Sequence, residues 1–197
     1  MIYLKITLNL DNFKIRDQID CYGGNQDWYN SYYKRLAGCA PVTASNITMY
    51  ELRKNSNKEY LKHEFIELMN DLWNYITPGI MGVDKVEKYM QGYDKYIKTN
   101  NIGLTSSKIF YTKSKNKEEL KKYLTEALEQ NHPVAFLNLN NGKEENLESW
   151  HWTTIVGLET KKGNSKVLIS DEGYLKEIDL TLWFETKARE GSFIYYY

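Results

Sequence analysis

The residues with the clearest chemical potential are Cys39, His151 and Asp171, in that order along the chain. An imidazole beside a cysteine takes the proton of the thiol, and a carboxylate on the imidazole fixes its tautomer and orientation. A free thiol with a pKa of about 8.5 is only a few per cent ionised at pH 7, and an imidazolium partner lowers that pKa by several units. These residue types in this order therefore indicate a thiolate nucleophile.

The segment around Cys39 predicts a cysteine at the start of a helix. Gly38 can adopt backbone angles that other residues avoid, and it allows close approach of another part of the chain. Pro41 suits the first turn of a helix, where its missing N–H costs nothing. Unpaired N–H groups and the helix dipole at such an end favour the thiolate. From this segment alone, a cysteine that merely packs under the helix start remains an alternative.

Among the three histidines, His151 is the best candidate for a base. His63 lies on the polar side of an amphipathic helix, and His132 lies in a helix-to-strand turn, so both are expected to be ordinary surface residues. His151 follows a loop, begins a β-branched strand and lies between Trp150 and Trp152. A strand end beside a loop is a rigid support from which a side chain reaches a cleft, although a structural role is the alternative.

The candidate orienting group is Asp171, which ends the strand expected over 167–171. A hairpin turn near Gly163 pairs that strand with the one beginning at His151. The two residues are then expected at the open end of the hairpin, roughly opposite each other. Taken alone, Asp171 also fits a solvated turn residue.

The loop before the cysteine helix carries two amides, Asn25 and Gln26, and either could reach the helix N-terminus. Gly38, Trp150 and Trp152 are weaker candidates for contact with a bound substrate, and core packing is the alternative for both tryptophans.

The order of the elements predicts an α+β fold. Apolar residues at helical spacing predict helices over 61–76, 83–97 and, after a capping box at Asn116 and Glu119, 116–128. Strands are predicted over 2–10, 134–139, 151–158, 167–171 and 193–197. We expect one domain over 1–197, with a helical lobe at about 20–131 and a β lobe at about 132–197 that the first strand is a candidate to join.

The composition argues against several classes of protein. Lys+Arg and Asp+Glu are both 26, so nothing in the net charge favours nucleic acid or an anionic membrane as a partner. No secretory signal or membrane-spanning run is visible, which favours a cytoplasmic protein or one whose leader was removed. Cys21 and Cys39 are then expected as free thiols rather than a disulfide. Zinc binding is a weaker alternative, since no C-x-x-C or H-x-x-x-H spacing occurs, and no metal or cofactor is expected.

Several segments together resemble a known family. Gly38–Asn46 is similar to the G-C-G-P-x-x-A-x-N block of bacterial papain-like cysteine peptidases, close to the double-glycine leader peptidases of bacteriocin exporters. A G-N-Q-x-W loop before the cysteine, as at Gly24–Trp28, is typical of a clostridial branch of that group. His151–Gly157 resembles the H-W-x-x-x-x-G strand of the family, and Ile169–Gly173 resembles its strand ending in Asp or Asn before a glycine turn. The resemblance spans roughly residues 23 to 185.

The resemblance implies a papain-like fold and hydrolysis of a peptide or amide bond through an acyl-enzyme. Carried over, Cys39 is the nucleophile, His151 the general base and acid, and Asp171 the orienting group. The oxyanion hole would use the Cys39 N–H and the amide of Gln26, with Asn25 as the competitor. Two departures are notable: Gln26 lies farther from the cysteine than is usual in the family, and alanine follows the cysteine where glycine is common.

Two other functions remain open. The same triad runs acyl transfer to an amine, as in transglutaminase-like enzymes, because cleft shape selects the acceptor. A papain-like scaffold can also hold a peptide without cutting it. In each case the expected partner is a peptide or protein.

Overall fold

In a computed structural model, residues 3–56, 58–113 and 115–197 of the chain are described. They contain six α-helices and ten β-strands. The helices are α1 (Tyr32–Ala37), α2 (Cys39–Arg53), α3 (Lys62–Ile76), α4 (Val86–Asn100), α5 (Lys117–Glu129) and α6 (Leu180–Thr186). The strands are β1 (Tyr3–Thr7), β2 (Lys14–Arg16), β3 (Cys21–Tyr22), β4 (Tyr60–Leu61), β5 (Ser107–Tyr111), β6 (Val134–Asn138), β7 (His151–Lys161), β8 (Asn164–Asp171), β9 (Tyr174–Asp179) and β10 (Ser192–Tyr196).

The α+β class expected from the sequence is confirmed, and the chain divides into two compact units. The sheet unit takes the described residues of 3–8, 106–170 and 175–197, and the helical unit takes those of 9–105 and 171–174. The long boundary thus falls after residue 105 rather than near 131. As a result α5 belongs to the sheet unit, whereas the order of the elements along the chain had grouped it with the other helices.

The sheet unit is built on a seven-stranded sheet in the order β5-β10-β6-β7-β8-β9, with β1 also paired to β7. The long strand β7 pairs antiparallel with β6 along residues 151–155 and with β1 along residues 157–161. Its core includes Phe136 stacked on Phe193 at 4.4 Å between ring centroids, with the Trp183 ring edge-on to Phe136. Such stacked and edge-on aromatic pairs stabilise the packing beyond the area that they bury.

The helical unit is organised around α2, in which residues 39–50 are all buried. Small residues such as Ala40, Ala44 and Ser45 let neighbouring elements approach this helix closely. A cluster of buried residues on α2, α3 and the preceding loop forms its core and includes Tyr29, Met49, Phe65 and Met69. A three-stranded sheet in the order β3-β2-β4 lies in the same unit.

Several elements form where the sequence patterns predict them. The capping box that opens α5 is confirmed, since the Asn116 side chain accepts the Glu119 N–H at 3.0 Å and Glu119 accepts the Asn116 N–H at 3.0 Å. α4 begins at Val86, later than the expected Val83. Ile2, the first residue of the expected N-terminal strand, lies outside the described residues. No helix in the described part of the chain combines the length and apolar character needed to cross a membrane.

Candidate active site

Cys39 is the first residue of α2, and Gly38 is its N-cap. The first helical hydrogen bond runs from the Val42 N–H to the Gly38 carbonyl at 3.1 Å, and Pro41 lies in the first turn as predicted. The N–H of Cys39 therefore has no acceptor within the helix, and the residue lies at the positive end of the helix dipole. The side chain is 8% exposed, which partly shields it from water.

Gly38 is required for space rather than for its backbone angles. Its φ is −89°, a value open to any residue, so the conformational freedom of glycine is not used at this position. A Cβ at this position would lie 2.4 Å from the Lys34 carbonyl oxygen and 2.5 Å from Cε2 of Tyr29. The expected close approach is confirmed, and the Tyr29 ring packs directly against the start of the cysteine helix.

Tyr29 is fixed in that position. Its hydroxyl donates to the Met69 carbonyl at 3.0 Å, and the ring is fully buried. Burial, and to a smaller extent the charge of Cys39, raises the pKa of the Tyr29 phenol well above its usual range. Tyr29 therefore acts here as a neutral packing residue beside the thiol.

A second attachment joins the cysteine helix to the loop of residues 23–28, hereafter the amide loop. The Oδ1 atom of Asn46 accepts the Gly24 N–H at 2.8 Å in a buried hydrogen bond. Asn46 lies two helical turns after Cys39, so the loop is fixed to the face of α2 that carries the cysteine. A Cβ at Gly24 would lie 2.2 Å from the Phe65 ring, which explains the glycine. The sequence motif included Asn46, but no pattern assigned it this role.

Both ends of the Asn25 amide are engaged. Its Oδ1 accepts the Asp27 N–H at 2.7 Å and caps a short 3-10 helix over Gln26–Trp28. Its Nδ2 donates to the Glu172 carbonyl at 3.1 Å, and the Tyr22 N–H donates to the Gly173 carbonyl at 2.8 Å. The amide loop thus holds the two-residue turn that follows Asp171.

Gln26 presents the opposite situation. Its Oε1 is buried and has no hydrogen-bond partner among the residues that the structure describes. The two ends of a carboxamide have nearly the same shape, so a half-turn of the amide places the Nε2 donor at the same buried point. Buried polar groups are normally paired, and an unpaired one points to a missing water or ligand. Of the two amides left open by the sequence, Gln26 has the uncommitted group.

The attachment at Asn46 yields a stability prediction. Asn46→Ala leaves the buried Gly24 N–H without its acceptor, which is expected to lower the free energy of unfolding by about 1–3 kcal/mol. The measurement is the urea midpoint and slope. Asn74→Ala, at an exposed position of α3, is the matched control and is expected to change stability by less than about 0.5 kcal/mol. Equal losses in the two variants would contradict the assigned role.

The histidine and the carboxylate lie on paired strands. β7 begins at His151 and β8 ends at Asp171, and both side chains are 5% exposed. Thr154 pairs with Ser170, and a register shift between Ile155 and Gly157 accompanies this pairing. Both residues therefore lie at the same end of the β7–β8 ladder. The register does not place them directly opposite each other, whereas the sequence predicted roughly opposite positions. Cys39, Gln26 and Asp171 are grouped in the helical unit and His151 in the sheet unit.

The loop that leads to His151 is closed by Asn138, which pairs with His151 across the β6–β7 ladder. Asn138 is fully buried, and its Nδ2 donates to the Glu148 carbonyl at 2.6 Å. Its Oδ1 accepts the indole N–H of Trp183 at 2.8 Å. No sequence pattern singled out Asn138, whose only signal is an amide at the end of an apolar strand.

The two tryptophans beside His151 differ. Trp152 is buried, whereas Trp150 is 45% exposed, so only Trp150 has surface for a bound molecule. Trp150 also has a φ of 60°, a left-handed conformation that costs a bulky residue of the order of 1–3 kcal/mol. Gly38 is buried and has no side chain to offer a ligand.

The remaining candidates have ordinary surroundings. His63 is exposed on α3, and the His132 ring stacks on Tyr195 at 6.0 Å between centroids. Cys21 and Cys39 are free thiols, as expected. Burial, followed by the charge of Asp17, raises the pKa of the Cys21 thiol. Cys21 therefore provides an unactivated thiol within the same protein.

Metal ligation was the competing chemistry for these residue types. Within residues 3–56, 58–113 and 115–197, no three His, Cys, Asp or Glu side chains are grouped so as to hold a metal ion. The site holds instead a buried thiol at a helix start and, on the attached loop, a buried Gln26 Oε1 that has no hydrogen-bond partner among the described residues. No model of a known protein family matches the chain, and no curated protein matches it.

Proposed function

We propose that the chain is a papain-like thiol hydrolase that cleaves a peptide or amide bond through an acyl-enzyme. Cys39 is the nucleophile, His151 the general base and acid, and Asp171 the group that orients the imidazole. The Cys39 N–H and the Gln26 amide stabilise the oxyanion. The observation that carries the proposal is the buried Oε1 atom of Gln26, which has no hydrogen-bond partner among the described residues and lies on a loop attached to the cysteine helix.

The position of Gln26 supports this role. The loop is held against α2 on either side of it, by Asn46 at Gly24 and by the contact of Tyr29 with Gly38. A donor held in this way needs no reorganisation when negative charge develops on a carbonyl oxygen. Asn25 is suited to a different task, since its two hydrogen bonds fix the loop and the turn after Asp171.

The chemistry follows from the residue types. The imidazole of His151 takes the proton of the Cys39 thiol, and the sulfur forms a bond to the carbonyl carbon of the substrate. When the tetrahedral intermediate collapses, the C–N bond breaks and the imidazolium gives its proton to the leaving amine. A water molecule, deprotonated by the same imidazole, then hydrolyses the thioester and releases the thiol and a carboxylic acid. Asp171 stabilises the imidazolium throughout.

Hydrolysis of p-nitrophenyl acetate tests the proposal without knowledge of the natural substrate. Cys39→Ala is expected to reduce hydrolysis to the level of the buffer, because no other nucleophile in the site replaces the sulfur. Cys21→Ala is the matched control and is expected to retain wild-type hydrolysis, since burial disfavours the thiolate of Cys21. Equal activity in wild type and Cys39→Ala would contradict the proposal. Added hydroxylamine reports acyl transfer to an amine as acetohydroxamate.

A further inference from the structure

The backbone at Trp150 is unusual for its residue type. Six non-glycine residues in the described part of the chain have a positive φ, and five of them lie at helix ends or in hairpin turns: Thr77, Asn101, Asn131, Lys162 and Glu172. Trp150 is the one aromatic residue among the six, and it directly precedes His151. Bulky residues avoid this region, so the surrounding structure must impose the conformation.

Hydrogen bonds of one buried carboxylate and of more exposed polar side chains fix the loop of residues 139–149, which leads to Trp150. The carboxylate of Glu144 is buried and accepts the Asn146 N–H at 3.0 Å and the Asp179 N–H at 2.8 Å. The Asn141 N–H donates to the Ser149 hydroxyl at 3.0 Å, and that hydroxyl donates to the Asn141 side chain at 3.0 Å. These bonds define the path of the chain on both sides of the loop.

The last residues before the strand are held as well. Asn138, opposite His151 in the ladder, binds the Glu148 carbonyl, and the Trp183 indole binds both Asn138 and the Asn140 carbonyl. The direction of the chain before residue 150 and the position at which β7 begins are therefore both fixed. A left-handed backbone conformation at Trp150 connects the loop to the strand in this geometry.

We propose that the left-handed backbone at Trp150, imposed by the loop of residues 139–149, positions His151 at the start of β7. Trp150 is thus a positioning residue that acts through its main chain rather than through its ring. The expected effect of residue 150 on the reactivity of Cys39 rests on the proposed function. Its effect on the orientation of the His151 imidazole is independent of that function. The Trp150 ring lies outside this role: it is stacked on the guanidinium of Arg189, 4.8 Å from the ring centroid, and is half exposed.

A set of substitutions at residue 150 separates backbone from ring. Trp150→Gly and Trp150→Asn remove the ring but accept a positive φ, whereas Trp150→Val and Trp150→Ala remove the ring and resist it. Lys162→Val is the matched control, because it places valine at a left-handed residue at the other end of β7. If Trp150→Val does not fold, Trp150→Ala serves as the variant that resists a positive φ.

The first measurement is the set of ring carbon and nitrogen chemical shifts of His151, which report the tautomer and surroundings of the imidazole. We expect wild-type shifts in the Gly and Asn variants and in Lys162→Val, and altered shifts in the Val and Ala variants. The second measurement is the rate of Cys39 alkylation by iodoacetamide, which is expected to fall about 3- to 10-fold in Trp150→Val, because misplacing the imidazole costs less than removing it. Trp150→Gly is expected to restore the rate.

Equal changes of the His151 shifts in Trp150→Gly and Trp150→Val would overturn the proposal, because the ring would then be the cause. Unchanged shifts in all four variants would overturn it as well. Failure of the proposed function has a different signature: Cys39 alkylation would be slow in the wild type, while the shifts would still divide the Gly and Asn variants from the Val and Ala variants.

Discussion

His151→Ala is expected to slow the alkylation of Cys39 by iodoacetamide at pH 7 by roughly 10- to 30-fold. An ordinary thiol is only a few per cent ionised at that pH, and His151 is the proposed base that takes the proton from the thiol. Iodoacetamide reports the thiolate directly, because the sulfur displaces iodide in one step. The measurement is the rate at which each cysteine-containing peptide gains the carboxamidomethyl group.

The chain contains two controls for this experiment. Cys21 is a free thiol whose pKa is raised by burial, so its slow alkylation is expected to be the same in wild type and His151→Ala. His63→Ala removes an exposed histidine from α3 and is expected to leave the Cys39 rate at its wild-type value. If Cys39 reacts no faster than Cys21 in the wild type, the catalytic assignment is wrong.

Gln26→Ala is expected to lower kcat/KM for p-nitrophenyl acetate by about 10²- to 10³-fold, which is typical for loss of one oxyanion donor. Alkylation of Cys39 by iodoacetamide is expected to persist near its wild-type rate, because displacement of iodide forms no oxyanion. This separation between the two reactions is specific to a donor that acts on the oxyanion. A residue that merely supports the fold would affect both reactions.

Asn25→Ala provides the contrast for Gln26→Ala. It removes the cap of the 3-10 helix over Gln26–Trp28 and the bond to Glu172, so it is expected to cost about 1 kcal/mol of stability. Its effect on hydrolysis is expected to be smaller than that of Gln26→Ala. If Asn25→Ala lowers kcat/KM more than Gln26→Ala does, and the two variants are equally stable, then Asn25 rather than Gln26 is the oxyanion donor.

Local patterns predicted much of the fold. The spacing of apolar residues predicts α3, and the capping box at Asn116 and Glu119 predicts α5, because both signals lie within a few residues of chain. The hairpin at Lys162 and Gly163 was equally local. The position of Cys39 at a helix start followed from the glycine before it and the proline after it.

Features that depend on distant contacts could not be predicted in the same way. β5 is short and only partly apolar, and it is a strand because β10, far along the chain, pairs with it. α5 belongs to the sheet unit because its apolar face packs against strands, a choice that helical periodicity does not encode. The order of the elements along the chain places the lobe boundary after α5, whereas the compact units divide before it.

The same limit applied to the candidate site. The sequence offered Gln26 for the oxyanion hole with Asn25 as its competitor, but it could not give the hydrogen-bond partners of either side chain. The reason for Gly38 is the Tyr29 ring packed against it, which no local pattern reports. The residue types and order of Cys39, His151 and Asp171, by contrast, can be read directly from the sequence, and they are the basis of the proposed triad.

Mass spectrometry of the protein quenched in acid during turnover of p-nitrophenyl acetate tests the central claim most directly. The account predicts an acetyl group on the peptide that contains Cys39, absent from the Cys21 peptide and lost when hydroxylamine is added. In Gln26→Ala the acetyl group is expected to accumulate more slowly. Turnover without acetylation of Cys39, or with acetylation at another residue, would contradict the assignment of Cys39 as the nucleophile.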